Sequence, residues 1–387
     1  MRILYISSSN CLGGGSVALY NIVKGMMLLG HQVFVVTTKE DDYLLHKLKE
    51  IGCPYVKLNL SLDIYPLNKN IFLYVPRLLY IIWKHHKGVN NIVKIIGEFQ
   101  PDIVHTNVGP YSIGYDACQI TGTKHVWHQR EYQDKDFDMH FFPCIKTFIR
   151  KSHSENNYNI CITKEIFEYR KFRPNHDVVI YDGVFSESQI TQLPSREEKN
   201  YVLFVGRIEE AKGLYEVLSA YNLFRHKYPH IQLYVVGETP NHANNYKKKC
   251  EQFIRDNKFE DNVVFWGKRN NVFEYMAQAR MLIVASRIEG FGFITTEAML
   301  NSCPVIGKDT GGTKEQFDNG KKLMNAEIAL RYHSQHELVE AMYYVMEHDM
   351  ADMCQRAKDT VVNLYTTEKN IKNIEQYYKK ILENKTM

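Results

Sequence analysis

Met281-Leu282-Ile283-Val284-Ala285-Ser286-Arg287-Ile288-Glu289-Gly290-Phe291-Gly292-Phe293-Ile294-Thr295-Thr296-Glu297 is the stretch on which the fold turns. Its first five residues form a continuous apolar run, the length of a buried strand. Gly290 and Gly292 then permit a tight loop with exposed amide groups, and the pattern predicts a helix starting near Thr295. A buried strand that passes through a glycine loop into a helix is one step of a βαβ unit, and a chain of such units makes a parallel sheet.

The same alternation extends in both directions from this stretch. In the second half, further strands are predicted at Tyr201–Val205, Gln232–Val236, Asn262–Phe265 and Pro304–Ile306, each ending in a turn or loop. In the first half, Ile3–Ile6, Val33–Thr37, Ile103–His105 and Lys124–Trp127 read as strands, and Val17–Leu29 reads as a helix ended by Gly30. Thr191–Asn200 (TQLPSREEKN) is polar, contains Pro194 and lacks periodicity, which suits a linker. Two Rossmann-like domains are therefore expected, at 1–190 and 191–365. In the final segment, 366–387, Ile371, Ile374, Tyr377, Tyr378 and Ile381 fall at helical spacing over Thr366–Asn384. That helix is expected to pack back toward the N-terminal domain.

Ligands of doubly wound sheets bind beyond the carboxyl ends of the strands, so residues just after each strand carry the chemistry. After Val205 come Gly206 and Arg207, then Lys212 and Gly213 where a helix opens. A guanidinium fork and an ammonium beside helix amides form a site for a diphosphate. On their own these could be two solvated cations near Glu209 and Glu210. In the opening stretch seven residues separate Glu289 from Glu297. This spacing puts one carboxylate on the loop and the other in the first helical turn, and a carboxylate can accept two hydrogen bonds from a pair of neighbouring hydroxyls.

These elements together resemble glycosyltransferase family four. The resemblance rests on Gly206-Arg207 with Lys212-Gly213, on Glu289 and Glu297 with Glu-Gly-Phe-Gly-Phe between, and on the turn Gly311-Gly312 with Glu315. It extends more loosely to Gly13-Gly14-Gly15, Pro101–His105 and Trp127–Glu131. The resemblance implies a GT-B architecture, two Rossmann-like parallel-sheet domains facing each other across a cleft, and a retaining transfer from a nucleotide sugar. By the same resemblance Arg207 and Lys212 hold the diphosphate, Glu289 touches the donor sugar, Glu297 holds the ribose, and the backbone of Gly290, Phe291, Gly292 and Phe293 lines the pocket. His128 aligns with a histidine facing the donor sugar. Gly14, Gly15, Gly237 and Lys268 complete the expected donor-binding set. Val179–Val184 looks like the family's Ile-x-Asn-Gly-Val turn, with Asp182 where Asn is usual.

The expected activity is transfer of a hexose-type sugar from a uridine diphosphate sugar, with guanosine diphosphate as the alternative, to a saccharide or lipid-linked saccharide in bacterial surface-polysaccharide assembly. No separate cofactor is expected. Two other readings were weighed. Gly13-Gly14-Gly15-Ser16-Val17-Ala18 fits the dinucleotide fingerprint of NAD-dependent oxidoreductases. That reading needs an acidic residue ending the second strand, where the chain has Thr37, Thr38 and Lys39 before Glu40. A non-catalytic nucleotide-sugar-binding protein is the third reading, and Glu289, Lys212 and His128 argue against it.

A formal charge of +4 is too small to indicate a nucleic-acid binder, and 44% hydrophobic with 24% charged residues is the balance of a folded globular chain. Met1–Ser7 reads as a strand rather than a secretion signal, and a cytoplasmic location is expected. The eight cysteines include no Cys-x-x-Cys pair and read as buried reduced thiols. Asp134, Asp136 and Asp138 could in principle ligate a divalent ion but read as an acidic loop, so no metal is expected. Two stretches, Ile71–Lys87 and Phe141–Lys151, mix apolar and basic residues in the way of a face that lies on an anionic membrane. Peripheral contact with the inner face of the cell membrane is expected from them.

Overall fold

In the computed structural model, which describes residues 1–7, 14–38, 42–65, 71–137 and 140–383, two parallel sheets organise the chain. The first contains β1 (Arg2–Ser7), β2 (Gln32–Thr37), β3 (Tyr55–Lys57), β4 (Ile103–Asn107), β5 (Lys124–Gln129), β6 (Asn157–Cys161) and β7 (Val178–Val179). The second contains β8 (Tyr201–Val205), β9 (Gln232–Val236), β10 (Val263–Gly267), β11 (Met281–Val284), β12 (Val305–Lys308) and β13 (Leu330–Tyr332). The strand orders are β3-β2-β1-β4-β5-β6-β7 and β10-β9-β8-β11-β12-β13. Both are doubly wound, with the order reversing beside β1 and β8 respectively, and the crevice at such a reversal is where ligands bind. Among the described residues the predicted strands are all present, with ends shifted by one or two residues.

Four strands have no counterpart in the periodic reading: β3, β6, β7 and β13. β6 (NYNIC) is wholly buried although two of its five residues are asparagines. Asn159 donates through Nδ2 to the Ser152 carbonyl at 2.8 Å and to Asp177 Oδ1 at 2.9 Å, which satisfies the amide inside the fold.

The chain forms two compact units, Met1–Gly183 with Thr367–Met387, and Val184–Thr366. The crossing lies at Gly183, upstream of the expected boundary at 190, because Val184 and Phe185 are tied to Tyr365 and Thr366 by backbone pairing. The closing helix, Thr367–Glu383, belongs to the first unit. Its Ile374, Tyr377, Tyr378 and Ile381 enter the core around Ile3, Tyr5, Leu19, Ile22 and Val126. Burying side chains of this kind contributes on the order of 1.5–3 kcal/mol each. Gly25 lies under Ile371, leaving no room for a Cβ, which lets the helices Gly14–Leu28 and Thr367–Glu383 touch closely. Asn384, the last residue of the predicted helix, lies outside the described residues.

The second unit's core runs from Val202, Phe204, Leu214 and Tyr221 through Leu233, Val235 and Ile283 to Tyr332 and Met342. Six of the described cysteines are buried; Cys144 departs from expectation by being exposed. No helix among the described residues is long and apolar enough to cross a membrane. The apolar tract from Ile71 begins a longer helix, Ile71–Phe99, which carries Pro76 within it. Phe141 and Phe148, expected on a membrane-facing surface, instead pack with Trp127 and Tyr115 in a small core. The Arg170 guanidinium covers both phenylalanine rings, at 5.7 and 5.4 Å, so the aromatic part of that stretch serves the fold.

Candidate functional site

In the second unit, β8 and β11 lie side by side, with Leu203 opposite Leu282, and both aim their carboxyl ends at the same place. Beyond β8 the chain passes Gly206 and Arg207 into a short helical turn, Glu210–Lys212, before the helix Leu214–Phe224. Gly213 joins them at φ +75°, and a Cβ there would sit 2.2 Å from the Ala285 carbonyl oxygen. Only glycine satisfies both the left-handed backbone and the close approach. The contact brings the loop after β8 against the loop after β11, and the Arg287 amide donates to the Ala211 carbonyl at 2.9 Å across the same seam.

The side chains complete the join. Lys212 Nζ donates to Glu289 Oε1 at 2.6 Å, and Ser286 Oγ donates to the same oxygen at 2.6 Å. The Gly312 amide, at the start of the helix Gly311–Met324, donates to the Glu289 carbonyl at 2.8 Å. Gln316 Nε2 donates to the Phe291 carbonyl at 2.6 Å, and the Phe291 ring is buried against Phe293 and Tyr365. The amides of Gly290, Phe291 and Gly292 have no acceptor among the described residues. These donors lie before the helix Phe293–Leu300, which begins two residues ahead of the expected Thr295, and they offer an anion free N–H groups.

Glu297 lies in that helix, half-buried, and its carboxylate has no ion pair or hydrogen bond among the described residues. Loss of water around it pushes the carboxyl up to about 7. Arg207 is half-exposed and paired to Glu209 at 2.8 Å. Gly237 follows β9, where a Cβ would fall 1.9 Å from the Gly206 carbonyl oxygen, so its lack of a side chain serves the crossing of two strand ends. Lys268 is exposed just beyond β10.

The first unit has its own cluster at the corresponding strand ends. His128 is the penultimate residue of β5, fully buried; its Nδ1 lies 3.2 Å from His105 Nε2 and 3.4 Å from an Arg130 terminal nitrogen. Burial and the neighbouring guanidinium hold the His128 imidazole well below its usual value, so it is neutral. Its Nε2 has no partner among the described residues. Arg130 Nε donates to Asn107 Oδ1 at 2.7 Å, and Asn107 Nδ2 donates to the Gly15 carbonyl at 3.2 Å. Another Arg130 nitrogen lies 2.5 Å from both Asp182 carboxylate oxygens, in an ion pair with almost no exposure. Asp182 thus has a structural partner that the sequence did not reveal. Asn107 is absent from the sequence reading, while Ser286 in the second unit and His105 and Arg130 in the first stand there only inside quoted stretches, without a role.

Gly13 of the glycine loop lies outside the described residues, as do Lys39 and Glu40. Gly14 opens the first helix, and Gly15 takes part through its carbonyl. The described end of β2 offers Thr37 and Thr38, both buried, and no carboxylate for a dinucleotide ribose. Asp134 is paired with Arg170 at 3.1 Å and accepts from Tyr169 Oη at 2.8 Å; the Asp136 side chain and Asp138 lie outside the described residues. No group of three or more His, Cys, Asp or Glu with metal-holding geometry occurs among the described residues.

The profile of the Glycosyl transferases group 1 family matches residues 185–363, which is nearly the whole of the second unit. The C-terminal unit belongs to that family. The N-acetyl-alpha-D-glucosaminyl L-malate synthase of Bacillus anthracis is 22% identical over 253 residues, 62% of this chain and 64% of the relative. The trehalose synthase of Thermococcus litoralis is 26% identical over 197 residues, 48% of this chain and 46% of the relative. The chain thus spans less than two thirds of the length of these curated relatives. Among solved structures, Anabaena Alr3699/HepE in complex with UDP superposes with a TM-score of 0.76 at 18% identity, covering 98% of this chain and all of that one. The likeness shows the fold, which is GT-B.

Proposed function

We propose that the chain is a retaining glycosyltransferase that moves a hexose-type sugar from a uridine diphosphate sugar, or a guanosine diphosphate sugar, to a saccharide or lipid-linked saccharide acceptor. The 2.6 Å contact between Lys212 and Glu289 carries this reading. The bond to be broken joins the sugar's anomeric carbon to a phosphate oxygen. A cation suited to the phosphate and a carboxylate suited to the sugar hydroxyls are here in contact, so a ligand holding both would place its scissile bond beside them. As that bond breaks, negative charge grows on the leaving diphosphate, where Lys212, Arg207 and the free amides of Gly290 to Gly292 stabilise it. Glu297 accepts from the ribose hydroxyls, and His128 faces the transferred sugar. The leaving phosphate takes the acceptor's proton on the face it departs from, which retains the configuration. The Anabaena complex with UDP supports the choice of base.

Surface-polysaccharide assembly at the inner membrane face is the setting we propose. On the helix Ile71–Phe99, Val75, Leu79, Tyr80 and Trp83 are half or more exposed, and residues 71–97 contain no acidic side chain. Arg77 and Lys87 lie in the same segment, and Lys87 sits 5.0 Å over the Trp83 ring. Aromatic and basic groups on one helix suit an anionic lipid surface. The deciding experiment is a thermal-shift screen of nucleotide sugars followed by a transfer assay with the best ligand, because a ligand that binds only the folded state raises the melting temperature by mass action. A chain that no nucleotide sugar stabilises does not carry this activity.

A further inference from the structure

The hydrogen bonds around His128 have one consistent direction. A guanidinium nitrogen can only donate, so the Arg130 nitrogen 3.4 Å from His128 Nδ1 requires that Nδ1 be bare. His105 Nε2, 3.2 Å from the same atom, must then be the protonated nitrogen of its own ring. With Nε2 protonated and the ring neutral, His105 Nδ1 accepts from the Tyr378 hydroxyl at 2.5 Å. From Tyr378 through His105 to His128, each donor finds an acceptor until the last. The His128 ring, neutral with Nδ1 bare, carries its proton on Nε2, the atom left without a partner among the described residues. The reverse arrangement, with His128 Nδ1–H donating to His105, would press that N–H against the Arg130 N–H.

We propose that Arg130, locked by Asp182 and Asn107, is a positioning residue that fixes His128 as the Nε2–H tautomer, so that it meets its ligand as a hydrogen-bond donor. Asp182 holds one guanidinium nitrogen and Asn107 holds Nε, which leaves the remaining nitrogen directed at His128. Asp182 also balances the buried charge, which an asparagine at that position would not. Burial pushes the Asp182 carboxyl up and the guanidinium pulls it back down. Burial, and after it the same guanidinium, oppose protonation of His105 and of His128, which keeps both rings neutral. The ligand class follows: a group that accepts from Nε2–H, such as a sugar hydroxyl oxygen, and not a proton donor awaiting a base. The identity of that ligand rests on the reading of His128 as sugar-facing; the tautomer does not.

The test is long-range proton–nitrogen correlation on protein labelled with ¹⁵N-histidine at neutral pH. The expected spectrum shows His128 with Nδ1 bare and Nε2 protonated. Removing one partner would leave a buried unpaired charge, so the comparison is the double variant Arg130→Met with Asp182→Asn, which leaves none. In it, the His128 signals should move toward a mixture of tautomers. The transfer kcat should fall about tenfold to a hundredfold, approaching the cost of losing one preorganised donor, while the dissociation constant of free nucleoside diphosphate is unchanged. A wild-type His128 protonated at Nδ1, or a tautomer unaltered in the double variant, overturns the proposal. If instead the spectra are as expected but His128→Ala transfers sugar at the wild-type rate, the sugar-facing reading fails and the tautomer assignment stands.

Discussion

Glu289 is held at both ends: Gly312 donates to its backbone carbonyl at 2.8 Å, while Lys212 donates to its carboxylate at 2.6 Å. The loop that bears the candidate sugar-binding carboxylate is therefore fixed by the next helix before any ligand arrives, and Lys212 is fixed along with it. Positioning of this kind lets a charge act on a transition state without first reorganising.

Lys212→Ala should lower transfer by about two to three orders of magnitude, the scale for losing one preorganised charge stabiliser. Both partners of the pair are partly exposed, and such pairs contribute about 1 kcal/mol or less to folding, so the melting temperature should barely move. Steady-state kinetics beside a melting curve separates the two effects. Unchanged kinetics on the true substrates would remove the diphosphate assignment.

As the proposed ribose-holding group, Glu297 should give donor binding a pH dependence of determined sign. Its carboxyl is raised from 4.5 to about 7 by burial. The protonated form is favoured by folding, so this group's stabilising contribution is complete at low pH and is lost as pH rises through about 7. Ligand binding runs the other way, because the ionised carboxylate is the form that accepts from two ribose hydroxyls. Nucleoside diphosphate affinity should rise about tenfold from pH 6 to pH 8, the change expected over one unit below such a pKa. Calorimetric titrations at the two pH values, with Glu297→Gln showing no such rise, would establish it; a flat wild-type response would exclude Glu297 from the ribose site.

Transfer should persist near its full rate in excess chelator. On the proposed reading, Lys212, Arg207 and the amides of Gly290 to Gly292 would take the place that a divalent cation occupies in metal-assisted phosphate departure. Loss of transfer on chelation, with recovery on adding manganese or magnesium, would mean that a cation does this work.

Binding to anionic vesicles should be measurable by sedimentation at low salt and should weaken as salt is added. Replacing Leu79, Tyr80 and Trp83 by serine should abolish it. Changes at Phe141 or Phe148 should act instead on stability, since those rings are buried. Full binding by the serine variant would remove the helix Ile71–Phe99 from the membrane reading.

How much of this was legible in the sequence depends on the distance over which each residue finds its partner. β8 and β9 are continuous apolar runs, and the structure begins and ends them where the periodicity does. The loops after β8 and β12 carry Gly213, Gly311 and Gly312 where backbone meets backbone, a demand local enough to read directly. β6 was hidden because its buried asparagines are paired with Ser152 and Asp177, a compensation that hydropathy cannot register. Phe141 and Phe148 looked like a surface pattern because Arg170, which covers them, is more than twenty residues away. Asp182 looked like an unexplained departure for the same reason: Arg130 is 52 residues distant.

The first unit leaves its sheet at Gly183 and takes in Thr367–Glu383 only after the whole second unit has been traversed. On the ribosome, the second unit is one uninterrupted stretch and can fold as soon as it emerges. The earlier-made sheet must wait with Ile3, Tyr5 and Leu19 uncovered until Ile374, Tyr378 and Ile381 follow the second unit. A nascent chain stalled just before residue 367 should therefore present a finished C-terminal unit and a protease-sensitive N-terminal one. Because Tyr378 also supports His105, the histidine cluster is completed only after the second unit has been made.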